Sequence, residues 1–458
     1  MDDIHHCRKG SERLFALFNR THSKFAYLAV TLCITLLVQA LSLFLQPNAA
    51  YAAEPALAIE ADAAILIEAE TGQILYEYNK DKLLPPASMS KMMTEYVILS
   101  QIKSGKIDWT NRVTISEYAS KIGGSGGLLA AGETYTVEEL FRNVSIFSGN
   151  DASIALAEFI SGSEEKFSHL MNDTARAIGL SDGAYFINAT GLDRVDMEKR
   201  DMAPASLPGE TEITAYDAAK IAQRIVLDFP ETLETTSTTV SYLKPGDDRY
   251  RMENWNWMLG NWIGTGNDFD RLFAYEGMDG LKTGHTSRAG YCFTGTAERN
   301  GMRLISVVMN AGTMHKRFHE TKKIMDYGFN NFEKMIALQP KAALEELNIV
   351  PITKGKVKEV SVVTDAGAEF LVSKGTTADD FIIEVTQAEK DQLVAPIVRG
   401  QVLGSATVSY TSPSGEVLSK TVNLVSADDA EKANWFVLFF RGIGNFFKNL
   451  FKGITDMF

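Results

Sequence analysis

The sequence predicts an α/β (α+β) domain with an antiparallel sheet flanked by helices, then a small all-β sandwich domain and a C-terminal amphipathic helix. Three observations predict this order. Strand-like and helix-like segments mix over residues 54–335, short β-branched runs replace them over 340–425, and large aromatic residues recur at helical spacing within 426–458. With 458 residues, 45% of them hydrophobic, the chain is long enough for at least two domains.

Residues 1–53 have the organisation of a secretory signal peptide. A basic start precedes a run from Phe25 to Leu45 that is apolar apart from small hydroxyl residues and one Gln, and Ala50 and Ala52 then form an A-x-A cleavage pattern. The apolar run is also long enough to span a bilayer, so an uncleaved membrane anchor is the alternative. Both interpretations export the rest of the chain.

The composition argues against several classes of function. The formal net charge is −13, which disfavours nucleic acid as a partner because such binding depends on basic contacts. Cys292 is the one cysteine after the signal segment, so we expect no internal disulfide, and its apolar neighbours predict a buried structural thiol. No spaced set of His, Cys and Glu residues suggests zinc, and we expect neither a metal nor another cofactor.

The first folded elements are predicted to be a hairpin and a helix. Ala63–Ala69 and Gln73–Tyr78 have strand composition, and Thr71–Gly72 favours a turn between them. Pro85–Pro86 then interrupts the chain, and apolar residues at helical spacing predict a helix that begins at Ser88. Ser88 would therefore lie at the positive end of a helix dipole.

The middle of the exported chain is predicted to hold a glycine-rich loop and two helices. Gly123–Gly127 lacks the phosphate-binding G-x-x-x-x-G-K-[S/T] pattern, so we expect a loop that borders a cleft. Val137–Ile146 and Ala152–Phe159 are predicted helices, with Ser148–Asn150 in the turn that joins them. Short polar side chains in such a turn can point into a site.

An antiparallel meander is predicted around Lys282. Its strands are Gly280–Gly284, Tyr291–Ala297 and Met302–Met309. The pair Asn300–Gly301 predicts a tight hairpin between the last two strands.

Residues 340–425 have the pattern of a small β-sandwich, and we interpret this domain as a spacer or interaction module. The predicted strands are Lys356–Val363, Glu369–Val372, Phe381–Val385, Gln401–Tyr410 and Ser419–Val425.

Residues 435–458 follow a polar linker and predict an amphipathic helix. Large apolar residues recur in steps of three and four, and Arg441, Lys448 and Lys452 repeat on the opposite face. This pattern is typical of a helix that lies in a membrane interface, and a core-packing or partner-binding helix is the alternative. We therefore expect peripheral attachment to a membrane surface through residues 435–458.

Three short motifs occur in one order along the chain: Ser88–Lys91 (S-x-x-K), Ser148–Asn150 (S-x-N) and Lys282–Gly284 (K-T-G). Together they supply a nucleophile, an amine base, a second hydroxyl and a cation beside a hydroxyl, which is the equipment for serine acyl transfer. S-x-x-K recurs from Ser100, Ser163 and Ser241, whereas the other two motifs occur once. The predicted helix start and the order of the motifs single out Ser88.

The residue types at these positions suggest individual roles. Lys91 can take the proton of Ser88 only as a neutral amine, so burial or a neighbouring cation such as Lys282 must lower its pKa. Ser148 would pass a proton to the departing amine. These roles make Ser88, Lys91 and Ser148 the predicted catalytic residues.

The remaining motif residues are predicted to bind substrate. Asn150 would hold the substrate amide, and Lys282 and Thr283 would bind an anionic group such as a terminal carboxylate. The backbone N–H groups of Ser88 and His285 would form the oxyanion hole. Gly284 lies between Thr283 and His285 and is predicted to give the strand flexibility.

The motif triplet resembles the penicillin-recognising serine enzymes. Ser148–Ala152, Asp279–His285 and the C-terminal tail are similar to serine-type D-alanyl-D-alanine carboxypeptidases, the low-molecular-mass penicillin-binding proteins. The resemblance implies a penicillin-binding/β-lactamase-like fold and removal of the terminal D-Ala from peptidoglycan stem peptides through an acyl-enzyme on Ser88. It also implies covalent inhibition by β-lactam antibiotics. The signal segment and the tail add the expected location, on the extracytoplasmic face of a bacterial cell membrane. The polar segment Asp193–Glu212, read as a long loop, is a departure at the cleft rim.

Two alternatives remain at this point. A β-lactamase shares the triplet, but class A enzymes add a Glu with an Asn four residues later, and no such pair lies between Asn150 and Lys282. A non-catalytic β-lactam-sensing receptor would acylate and then stall, and the motif residues do not distinguish it from an enzyme.

Overall fold

The computed structural model describes residues 57–126, 128–260, 270–412, 415–441 and 443–444. The predicted signal peptide, residues 1–53, and the end of the predicted tail helix, residues 445–458, lie outside the described residues.

The described elements follow the predicted order, with mixed helices and strands first and strands alone afterwards. The helices are α1 (Lys91–Lys103), α2 (Glu117–Ser120), α3 (Val137–Arg142), α4 (Asn150–Ser161), α5 (Glu164–Ala177), α6 (Arg194–Glu198), α7 (Ala215–Asp228), α8 (Thr232–Thr236), α9 (Asp270–Phe273) and α10 (Met314–Asn331). The strands are β1 (Ala63–Glu68), β2 (Ile74–Tyr78), β3 (Arg112–Thr114), β4 (Thr134–Thr136), β5 (Val240–Tyr242), β6 (Arg251–Glu253), β7 (Met278–Thr286), β8 (Gly290–Arg299), β9 (Met302–Ala311), β10 (Phe332–Leu338), β11 (Ile349–Pro351), β12 (Glu359–Thr364), β13 (Ala368–Ser373), β14 (Phe381–Gln387), β15 (Val402–Thr411) and β16 (Val417–Ser426).

The central sheet is antiparallel, with described strands in the order β2-β1-β9-β8-β7. Helix α7 packs on one face and α10 on the other. Every residue of β1 is therefore buried, and its sequence is apolar up to Glu68 rather than alternating. Strand β7 is at the edge of this sheet, which leaves its outer side to form one wall of a cleft.

The predicted hairpins and meander are present, and the helix start differs. Asn300 (φ 51°) and Gly301 (φ 74°) form the turn between β8 and β9, both in the left-handed region that a type I′ turn requires. After Pro85–Pro86 the chain makes a 3₁₀ turn over Ala87–Ser90, and α1 begins at Lys91. Ser88 thus lies in the turn before the α-helix rather than at its first residue.

The second motif also sits slightly differently from its prediction. A π-helical turn over Asn143–Phe147 continues α3, and Ser148 then adopts the left-handed conformation at φ 64°. Ser148 and Gly149 form the turn, whereas Asn150 is the first residue of α4.

The segment Asp193–Glu212 is more ordered than the predicted loop. It contains α6, and the backbone N–H of Arg194 donates to Glu210 Oε2 at 2.9 Å. Glu212 pairs with Arg288, which lies in the turn between β7 and β8. The ion pair ties this segment to the end of the β7 wall.

The C-terminal region is all-β, as predicted. Its described strands form one antiparallel sheet in the order β11-β12-β16-β15-β14 and a second pair, β10 with β13. Strand β10 follows α10 directly, so strand pairing of this region begins at Phe332, before the predicted domain start at residue 340.

Residues 435–441 are helical and expose several large apolar side chains. Trp435 is 71% exposed and Phe440 58% exposed. The guanidinium of Arg441 donates to the carbonyl oxygens of Gly355 (2.7 Å) and Lys356 (2.8 Å), which fastens this helix to the β-rich region. Within the described part of the chain, we find no helix with both the length and the apolar character needed to cross a bilayer.

Candidate active site

Lys91 lies fully buried beneath the turn that carries Ser88. Its Nζ is 2.9 Å from Ser88 Oγ, 2.7 Å from Asn150 Oδ1 and 2.7 Å from the carbonyl oxygen of Thr190. The amide and carbonyl oxygens can only accept, so they take two N–H bonds from the amine. In a neutral amine the remaining position is a lone pair, and it faces the Ser88 hydroxyl.

Electrostatics favour this neutral form. Burial is the main cause that lowers the pKa of Lys91 well below its ordinary value, and the nearby charge of Lys282 lowers it further. Lys282 is the neighbouring cation predicted from the sequence for this effect.

Asn150 holds the Lys91 amine in this structure. Its Oδ1 accepts from Lys91, and its Nδ2 donates to the carbonyl oxygen of Gly123 at 2.9 Å, so both ends of the amide are engaged within the protein. The side chain is 2% exposed. The substrate contact predicted for Asn150 stays a prediction, and the contact seen here is with Lys91.

The outer side of β7 forms the opposite wall, and it approaches the Ser88 turn closely. A Cβ on Gly284 would overlap the Pro86 carbonyl oxygen and lie 3.1 Å from the Met89 nitrogen. Glycine is therefore required here so that the strand can reach the turn. Gly191, on the other side of the same turn, meets Ala87 O in the same way.

Lys282 and Arg317 are two further buried cations on this side of the site. Lys282 is 3% exposed, and its Nζ makes a long bond of 3.4 Å to its neighbour's carbonyl at Thr283. Burial lowers its pKa, as does the charge of Arg317. Two cations of this kind favour an anionic ligand in the cleft.

Arg317 extends from α10 into the cleft. None of the sequence motifs indicated this residue. It is 3% exposed, and burial lowers its pKa to about 10, so it keeps its charge at neutral pH. Its Nη1 reaches Gly284 O at 3.4 Å, its Nε has no hydrogen-bond partner, and no ion pair joins it to a carboxylate among the described residues. A buried guanidinium without a counter-ion is suited to bind a substrate carboxylate.

A cavity of about 400 Å³ lies between the two walls. Ser148 lines it; the residue is 4% exposed, and its buried hydroxyl has no hydrogen-bond partner in the described part of the chain. The other lining residues are Ser88, Gly124, Ser125, Gly126, Phe147, Trp255, Thr283, Gly284, His285, Tyr291, Met314 and Arg317. The glycine-rich loop thus borders a cleft, as the sequence predicted.

Glu95 is a second residue that sequence reasoning missed. It lies one turn after Lys91 on α1, is 1% exposed and accepts a hydrogen bond from Ser145 Oγ at 2.8 Å. Burial raises its pKa, while Lys282 and Lys91 oppose the rise. The i, i+4 spacing from Lys91 was the one sequence signal that could have indicated it.

His285 and Cys292 have structural surroundings. The His285 ring is exposed, is 2.9 Å from Gly290 O through Nδ1 and stacks on Tyr291 at 4.1 Å between ring centroids. Cys292 is a free, fully buried thiol, and burial raises its pKa to about 11, as expected for a structural cysteine.

The family comparison agrees with this geometry. A family model described as D-alanyl-D-alanine carboxypeptidase, peptidase S11, matches residues 48–313. The chain belongs to this family. A second model, described as the C-terminal domain of penicillin-binding protein 5, matches residues 339–432 of this chain.

The similarity to known relatives and to solved structures extends over most of this chain. The chain is 34% identical to D-alanyl-D-alanine carboxypeptidase DacF of Bacillus subtilis, over 86% of this chain and 91% of that protein. It is 32% identical to DacC of Escherichia coli, over 79% and 84%. Penicillin-binding protein 5 of Haemophilus influenzae superposes with a TM-score of 0.61 at 31% identity, covering 82% of this chain and 98% of that chain. PBP3 of Streptococcus pneumoniae gives 0.66 at 28% identity, covering 81% and 99%.

Proposed function

We propose that this enzyme removes the terminal D-Ala from peptidoglycan stem peptides through an acyl-enzyme on Ser88, and that β-lactams acylate the same residue. The observation that carries the proposal is the Lys91 amine, which is buried, has acceptors for two N–H bonds and lies 2.9 Å from Ser88 Oγ. Family membership and the names of the relatives support the substrate class.

Acylation starts with the Ser88 hydroxyl. Its oxygen forms a bond to the carbonyl carbon of the penultimate D-Ala while its proton moves to the neutral Lys91 amine. Backbone N–H groups of Ser88 and His285 stabilise the oxyanion. The C–N bond then breaks, and the proton taken up by Lys91 passes through Ser148 to the departing D-Ala amine. Ser148 lines the cavity, and its hydroxyl has no hydrogen-bond partner among the described residues. Water hydrolyses the ester and restores Ser88.

The terminal carboxylate explains the cations on the strand side. Thr283 offers a hydroxyl in the cavity, Lys282 lies buried beside it, and Arg317 carries a guanidinium without a counter-ion among the described residues. A substrate without a free carboxylate would leave the guanidinium of Arg317 without a counter-ion. This requirement favours carboxypeptidase action at the chain end.

The test uses mass spectrometry after penicillin exposure together with D-Ala release from a pentapeptide stem. We expect one adduct on the Ser88 peptide and many D-Ala released per enzyme. Ser88→Ala should abolish both. Ser100→Ala is the matched control because Ser100 begins another S-x-x-K pattern on α1, where its Oγ bonds Tyr96 O at 2.7 Å, and it should retain both.

Three results contradict the proposal. An adduct with at most one D-Ala per protein would indicate the stalled receptor, and normal release by Ser88→Ala would exclude Ser88 as nucleophile. Rapid turnover of penicillin itself, without stem-peptide hydrolysis, would indicate the β-lactamase.

We also propose that the enzyme works outside the cell, held on the extracytoplasmic membrane surface by residues 435–458. The exposed apolar side chains of residues 435–441 and the signal-like segment 1–53 support this location. In a vesicle sedimentation assay, the chain that begins at residue 54 should bind anionic vesicles, and truncation after Ser426 should release it. Unchanged binding after truncation would contradict the proposal.

A further inference from the structure

Trp255 is a large aromatic side chain on the rim of the active-site cavity. It is 41% exposed, yet it lines the same cavity as Ser88 and Ser148. A single exposed apolar residue needs no explanation, but one that faces a polar reaction site offers a contact surface to the ligand.

The backbone around Trp255 fixes the direction of its side chain. Asn254 and Asn256 are 5% and 1% exposed, so they point inward on either side of it. Asn254 Oδ1 accepts from the Asn256 N–H at 2.9 Å, and Asn256 Oδ1 accepts from the Met258 N–H at 3.0 Å. These consecutive turns direct the residue between the two asparagines outward.

The same asparagines tie the turn to the active-site strand. Asn254 Nδ2 donates to Thr236 O and Thr238 O, both at 3.0 Å. Asn256 Nδ2 donates to Gly280 O at 3.3 Å, two residues before Lys282 on β7. The indole is therefore presented by a frame that is ordered before substrate arrives, which reduces the entropy cost of contact.

The cavity has more apolar surface than the D-Ala pair requires. Phe147, Tyr291 and Met314 line it together with Trp255. The reacting carbonyl and the carboxylate use the polar residues, and the D-Ala pair offers only two methyl groups. The large apolar side chains thus match a longer aliphatic group, which the stem peptide can supply at the residue before the pair.

We propose that Trp255 determines specificity by packing against an aliphatic side chain of the residue that precedes D-Ala-D-Ala. This inference rests on the proposed carboxypeptidase activity. Burial of such a chain against an aromatic wall favours the longer substrate by about tenfold in kcat/KM.

The test compares acetyl-norleucyl-D-Ala-D-Ala with acetyl-glycyl-D-Ala-D-Ala, which differ by one uncharged aliphatic side chain. The wild-type enzyme should prefer the norleucine peptide about tenfold. Trp255→Ala should lose most of this preference, mainly through KM, with the glycine peptide unaffected, and Trp255→Phe should keep part of it. Leu227→Ala is the control, because Leu227 is 46% exposed on α7 and is not among the residues that line the cavity.

An unchanged ratio in Trp255→Ala, an equal loss on both peptides or a wild-type preference for glycine would overturn the inference. A wild-type enzyme that hydrolyses neither peptide would instead overturn the proposed function. Should Trp255→Ala fail to fold, as judged by its melting temperature, Trp255→Phe and Trp255→Ser decide the question by the same ratio.

Discussion

The helix side and the strand side of the cleft both bury cations, but the two sides differ in the hydrogen-bond acceptors that surround these cations. On the helix side, Lys91 has two oxygen acceptors and the Ser88 hydroxyl within 2.9 Å. On the strand side, and among the described residues, Lys282 has one long bond of 3.4 Å and the Nε of Arg317 has no hydrogen-bond partner. We therefore propose that similar burial serves a base on one side of the cleft and an anion site on the other.

The difference shows that the acceptors around a buried cation, and not burial alone, decide its use. Acceptors that take two N–H bonds leave a neutral amine with its lone pair toward the nucleophile. Lys282 and Arg317 each have only a long contact to a carbonyl oxygen among the described residues, so their N–H groups are available to a negatively charged ligand.

The strongest way to break this comparison is Lys91→Met, which removes the base and keeps an unbranched side chain. Loss of general base catalysis should slow acylation by penicillin about 10²- to 10⁴-fold, measured by stopped-flow or quenched adduct formation. Lys103→Met is the control because Lys103 ends the S-x-x-K pattern of Ser100 on α1. Acylation at the wild-type rate by Lys91→Met would exclude the assigned base.

Arg317→Gln tests the anion side with a smaller expected effect. Loss of a charged hydrogen bond should lower kcat/KM for a D-Ala-D-Ala peptide about ten- to hundredfold. The same peptide with an amidated C-terminus should show no further loss, and Arg317→Lys should recover part of the activity. Equal losses on both peptides would mean that Arg317 acts through the fold and not through the carboxylate.

Glu95→Gln sharpens the comparison because it should change the pKa of a cation on each side of the cleft. Ionised Glu95 raises the pKa of Lys91 and of Lys282, so its removal should lower both. In the proposed mechanism Lys91 acts when neutral and Lys282 when protonated, so both limbs of the pH profile of kcat/KM should move to lower pH. Ser145→Ala removes a hydrogen bond that lowers the pKa of Glu95, and should give a smaller shift in the same direction. Unchanged limbs in both variants would contradict the electrostatic role.

Much of the fold could be predicted because its signals are local. The β1–β2 hairpin, the Asn300–Gly301 turn and the β-rich C-terminal region follow from alternation and turn residues within short windows. Motif order identified Ser88, and the i, i+3 spacing placed Lys91 beside it.

The missed features depend on packing between distant segments. Arg317 is on α10, and only the packing of that helix against the sheet brings it to Gly284. The contact of Asn150 with Lys91 spans 59 residues, and the contact of Lys91 with Thr190 spans 99. No sequence window contains such pairs. The 3₁₀ turn at Ser88 was missed because its local pattern is the same as that of a helix start.

Gly191 and Gly284 pack against the Ser88 turn, and we expect this packing to limit which substitutions can give resistance to β-lactams. Gly191 and Gly284 bring backbone against backbone on both sides of the turn that carries Ser88, so any larger side chain there collides with the turn itself. Substitutions that exclude an inhibitor but spare the substrate must therefore arise where side chains face the ligand, as at Trp255. We expect variants selected under β-lactam pressure to change the rim and to conserve these glycines.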